Sequence, residues 1–116
     1  MTFQPHPPDE MFAEAIREVA TMLKNAEIEV AKTEADVKRT IAKAMLKAEL
    51  DGNKTAAAQA RCADEDDDVY AARVAHGVAK GNLAFAKAEL KAREIAFEYW
   101  RTKAATMRLE RKVYSA

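Results

Sequence analysis

The sequence predicts an all-α protein: a long antiparallel helical hairpin, a coiled coil whose second helix outlasts the first. Three observations carry that expectation. Helix formers run almost unbroken from residue 10 to residue 113, and all three prolines, Pro5, Pro7 and Pro8, fall before that stretch. Apolar residues recur in alternating steps of three and four, the period of a helix face rather than of a strand. One strong turn signal, Asp51-Gly52-Asn53, divides the stretch in two.

Composition favours the same architecture. The chain has 116 residues, enough for one domain. Apolar residues make up 49%, yet aromatics only 7%, and alanine dominates the apolar share. At about 25 cal/mol per Å², a core of alanines stabilises a compact globule poorly. Alanine suits long helices instead, being the best helix former. Nineteen basic residues balance nineteen acidic ones, so the net charge is zero. That excludes a general electrostatic grip on nucleic acid or an anionic membrane; any such binding must come from a local patch. With Cys62 as the only cysteine, an internal disulfide and a cysteine-based zinc site are both excluded. No apolar run approaches the ~20 residues of a membrane span. The first ten residues, MTFQPHPPDE, lack the basic and apolar regions of a signal peptide. The expectation is a cytoplasmic protein with no cofactor, no metal and no membrane contact.

Taken in order, residues 1 to 8 form a proline-rich leader that cannot be helical. A helical domain over residues 9 to 116 follows. Asp9 is placed to cap the first helix, and Glu10 suits its first turn. Helix one is expected over residues 10 to 50. Phe12, Ile16, Val19, Leu23, Ala26, Val30, Thr33 and Val37 form a heptad seam, continued through Ile41, Ala44 and Ala48 with one small drift in spacing. Charged residues such as Arg17, Lys24, Glu27 and Lys32 occupy the other faces. Residues 51 to 54 are the turn, where Gly52 or Asn53 can supply the left-handed residue that ends a helix. Thr55 can cap helix two, expected over residues 55 to 113, about sixteen turns. So short a connection implies antiparallel neighbours.

Helix two carries two apolar stripes where a hairpin needs one. The first runs through Ala58, Cys62, Val69, Ala72, His76, Ala79, Leu83, Ala86, Leu90, Phe97, Trp100, Ala104 and Met107. The second holds Tyr70, Val74, Val78, Phe85, Ala88, Ala92, Ile95 and Tyr99. An apolar stripe of that length is rarely left in water, so the second implies self-association into a helical bundle, a dimer or larger. The expected oligomer interface is Tyr70, Val74, Gly77, Val78, Gly81, Phe85 and Ile95. Gly77 and Gly81 stand four apart, the spacing of a close helix approach or a gentle bend.

A flat turn also fixes a register. If residues 50 and 55 face each other, residue 12 lies opposite about residue 93. Residues 94 to 113 then overhang, with Phe97, Tyr99, Trp100, Met107 and Leu109 among them.

Few residues invite chemistry. The acidic run Asp64-Glu65-Asp66-Asp67-Asp68 begins like a calcium loop. However, Val69 stands where that loop needs glycine, and Ala75 where it needs glutamate. Consecutive helical residues point in different directions and cannot converge on one ion. The run reads instead as a solvated face pairing Asp66 and Asp67 with Arg39 and Lys38 across the hairpin, or as a place where the helix breaks and restarts. His76 lies on the first stripe as a packed, hydrogen-bonded residue, and no nucleophile, base and orienting group can be assembled, so no catalytic residue is assigned. The best contact candidates are Phe97, Tyr99, Trp100, Arg101, Lys103, Arg108, Arg111 and Lys112. Aromatics interleaved with cations can stack on bases and hold phosphates, so single-stranded DNA is one partner they fit. The competing reading is that the cations offset the helix dipole and that Phe97 and Trp100 are oligomer core.

The chain resembles the small helical-hairpin proteins encoded by phages and prophages near single-strand-binding and recombination genes. The resemblance rests on an alanine-rich, charged first helix, on Lys54-Thr55-Ala56-Ala57-Ala58-Gln59-Ala60-Arg61 after the turn, and on Ala96-Phe97-Glu98-Tyr99-Trp100-Arg101 followed by Met107-Arg108. It covers most of residues 12 to 112. It implies a non-enzymatic accessory role in phage DNA recombination or replication in the host cytoplasm, with another phage or host protein as a further partner. Secreted hairpin proteins of the WxG type are a poorer likeness. Their turn carries Trp-x-Gly, whereas this turn is Leu50-Asp51-Gly52-Asn53 and the one tryptophan is Trp100.

Overall fold

A computed structural model describes residues 8 to 114. Apart from Pro8, the leader expected over residues 1 to 8 lies outside the described residues. The fold is all-helical, and among the described residues there are three helices and no strand. Helix α1 spans Pro8–Leu50, α2 spans Ala56–Glu65 and α3 spans Asp67–Tyr114. Helix α1 starts two residues before the expected residue 10, because proline is tolerated in a first turn, where its missing N–H costs nothing.

The connection after α1 is built by its own residues. Gly52 adopts φ +104, a conformation that side chains other than glycine's resist. The Asn53 amide reaches the Ala48 carbonyl at 3.0 Å and the Gly52 amide reaches Glu49 at 3.1 Å, the paired bonds of a Schellman cap. Thr55 is extended, and its hydroxyl accepts from the Ala58 amide at 3.1 Å, which starts α2. Gln59 ties the tip together by donating its side-chain amide to the Asn53 carbonyl at 2.9 Å.

The single second helix expected over residues 55 to 113 is divided at Asp66. There the backbone is extended, and the Asp66 amide closes α2 on the Ala63 carbonyl at 3.2 Å. The Asp66 carboxylate then accepts from the amides of Asp68 at 2.8 Å and Val69 at 3.1 Å, which opens α3. Aspartate is a poor interior helix residue and a good cap for the same reason: its short acceptor competes for nearby amides.

The chain forms two compact units. One is Lys24–Ala84. Its core is Ala44, Ala63 and Val69, with Ile41 and Met45 packed against it. Val69, 0% exposed, is the largest fully buried side chain. In this unit α1 and α3 run antiparallel: Thr33 meets His76, and Thr40 and Lys43 share a groove with Ala72. The other unit joins the residues through Leu23 with those from Phe85 onward. Its buried positions are Val19 and Ala86. Its aromatic cluster sets Phe12 against Phe97 at 5.5 Å and against Trp100 at 5.6 Å between ring centroids.

The expected seam of α1 and the first stripe of the second helix are the faces that are buried or half-buried, except that Met107 is exposed. The register differs from the flat-turn expectation. Phe12 meets residues 97 and 100 rather than about residue 93, and Thr33 meets residue 76. The pairs 12/97 and 33/76 each sum to 109 instead of about 105, so the connection, with Thr55 extended, carries the chain about one helical turn outward before α2 begins. The overhang is correspondingly shorter. Phe97, Trp100 and Ala104 are half-buried, and only from residue 105 onward is every position exposed.

Candidate functional site

Two surfaces of α3 hold the contact candidates. The first is the apolar line expected to join copies of the chain. In the Lys24–Ala84 unit it presents Tyr70, Val74 and Val78, all exposed. Beyond Phe85 it presents Phe85 at 58% exposure, Ile95 at 60% and Tyr99 at 69%, with Ala88 and Ala92 also exposed. Side chains of this size normally lose most of their exposure in a finished core, so this line is left uncovered by the described residues. Gly77 and Gly81 lie on the same side, and a methyl group added at either would meet no atom within 4 Å. The close approach that their spacing implies is therefore absent among the described residues.

The second surface is the aromatic and basic end. The structure separates its residues into two sets. Phe97 and Trp100 stack at 6.2 Å and 15°, both covered by Phe12 of α1. The Arg101 guanidinium lies 5.6 Å from the Phe97 ring centroid and 3.5 Å from the Glu98 carboxylate. These contacts engage Phe97, Trp100 and Arg101 within the unit. Tyr99, Lys103, Arg108, Arg111 and Lys112 are exposed. Arg108, Arg111 and Lys112 line a shallow groove with Ala105 and Leu109. Phe12 was not among the contact candidates. Its seam position, with the register that set residue 12 opposite about residue 93, is the sequence signal that links it to the aromatic end.

The acidic run does structural work. With Asp66 used as a cap, Asp67 and Asp68 occupy the first turn of α3, where negative charge is favourable. Asp64 pairs with Arg73 at 3.2 Å, bracing α2 against α3. The cross-hairpin pairs expected from Asp66 and Asp67 to Arg39 and Lys38 do not appear among the described residues. Lys38 pairs with Glu34 on its own helix at 3.7 Å, and the shifted register carries the acids past those cations. Among the described residues, no group of three histidine, cysteine or carboxylate side chains is placed to hold a metal ion.

His76 is fixed by a partner that sequence reading did not name. Thr33 is 6% exposed, and its hydroxyl sits 2.8 Å from the Glu29 carbonyl and 3.1 Å from the Val30 carbonyl of its own helix. The same hydroxyl shares a hydrogen bond with His76 Nδ1 at 3.0 Å. The pair is a polar contact inside an apolar seam, which favours one register over its neighbours.

Among the described residues, no helix is long and apolar enough to cross a membrane. Compared with protein-family models, curated proteins and solved structures, the chain matches none.

Proposed function

We propose that this chain is a non-enzymatic coiled-coil protein that acts by binding other macromolecules, with a second copy of itself as the first of them. One observation carries the reading: the apolar line of α3, exposed from Tyr70 to Tyr99, has no partner among the described residues. The modest interior adds support. Of the seven buried apolar residues among those described, five are alanine and two are valine, so the fully buried core is made of small side chains. In this reading the long hairpin, with its second arm longer than its first, is the building unit of a homo-oligomeric bundle. Tyr70, Val74, Gly77, Val78, Gly81, Phe85 and Ile95 face the neighbour. The likeness to phage and prophage hairpin proteins supports an accessory role in DNA recombination or replication in the host cytoplasm, with a phage or host protein as the further partner. The test is the mass of the purified chain in solution, where self-association requires a multiple of the 12.9 kDa monomer.

A second reading, direct binding of single-stranded nucleic acid, is favoured by the exposed cations that line one groove near the end of α3. It predicts binding to an oligonucleotide that weakens with salt. Arg108→Ala and Lys112→Ala should each lower the slope of log affinity against log salt by about 0.7. Trp100→Ala is a poor test, since Trp100 packs on Phe12. Absence of binding at low salt would remove this reading.

A further inference from the structure

Resting on the self-association reading, we infer that two copies pair antiparallel through α3. From Phe85 the exposed line falls into heptads, with Phe85, Ala92 and Tyr99 at one core position and Ala88, Ile95 and Thr102 at the other. Large and small side chains alternate within each core position: Phe85, Ala92, Tyr99 at the first and Ala88, Ile95, Thr102 at the second. A parallel pair would stack each residue on its own copy, so Tyr99 would crowd Tyr99 while Ala88 and Ala92 left gaps, and a uniform helix separation cannot satisfy both. An antiparallel pair sets the first core position against the second. Phe85 then faces the partner's Thr102, Ala88 faces the partner's Tyr99, and Ala92 faces the partner's Ile95. Every layer joins a large side chain to a small one, and the two-fold axis falls between Ala92 and Ile95.

The flanking charges fit the same register. Lys91 and Glu98 border the line on one side, Glu89 and Lys103 on the other. Antiparallel pairing puts Lys91 beside the partner's Glu98, twice by symmetry, and leaves Glu89 beside the partner's Ala96. Glu98 also reaches Arg101 of its own helix at 3.5 Å; that pair is largely exposed and leaves the carboxylate able to accept again. Parallel pairing would instead bring Glu98 to the partner's Lys103 and leave Lys91 opposite Ala96.

Charge exchange separates the two arrangements. Lys91→Glu, Glu98→Lys and the double variant are made in the full chain, helix content is checked by circular dichroism, and the dimer dissociation constant is measured by sedimentation equilibrium. Antiparallel pairing predicts that each single variant weakens the dimer about tenfold, because two attractions become two repulsions. The double variant should recover wild-type affinity. If Lys91→Glu is harmless while Glu98→Lys and the double variant are both weak, the pairing is parallel and the inference is overturned. A dimer indifferent to all three variants uses another face, which overturns the inference and leaves self-association standing. A wild-type chain that stays monomeric overturns both.

Discussion

At Asp66 the backbone leaves the helix with φ −74 and ψ 130, and the side chain turns onto the amides of Asp68 and Val69. Its backbone carbonyl takes the Tyr70 amide at 3.0 Å, the first bond of the new helix. The residue therefore ends one helix and begins the next. Removing a cap of this kind costs about 1 kcal/mol, whereas asparagine retains the acceptor. Asp66→Ala should lower the melting temperature read by circular dichroism, and Asp66→Asn should leave most of it intact. Equal damage from both would show that the negative charge, rather than the cap, is what matters. The same residue shows a limit of sequence reading. Five adjacent acids advertise charge, but which one leaves the helix depends on where Val69 enters the core. Thr33 and His76 repeat the lesson: each is an ordinary seam position until the register brings them within 3.0 Å.

Among the elements, periodicity was the reliable guide. Steps of three and four along α1 picked out Val19, Thr33, Ala44 and Ala48, all of which are buried. Turn chemistry at Gly52 and Thr55 marked the connection for equally local reasons. Register was not legible, because it depends on how far the connection between Leu50 and Ala56 travels along the helix axis, and no residue type encodes that distance. The consequence is concrete at the aromatic end, where Phe12 covers Phe97 and Trp100 instead of leaving them on an open overhang. Phe12→Ala should cost about 2 kcal/mol, below the range for a fully buried phenylalanine because the ring is half-exposed. It should also shift Trp100 fluorescence to the red as water reaches the indole. An unshifted emission spectrum would mean that Phe12 does not shield Trp100 in solution.

For the molecule as a whole, the question is what covers α3. Its inner stripe meets α1 in each unit, while its outer line leaves Phe85, Ile95 and Tyr99 more than half exposed. Both stripes were visible in the sequence as spacing, and the structure shows which of them the chain covers by itself. The buried apolar residues among those described are mostly alanine, and under the proposed self-association a neighbour would add the larger side chains of the outer line to the buried surface. The most direct measurement is multi-angle light scattering on the full chain at micromolar concentration. Self-association predicts a mass of at least twice 12.9 kDa that falls on dilution. A steady monomer mass across that range would contradict it.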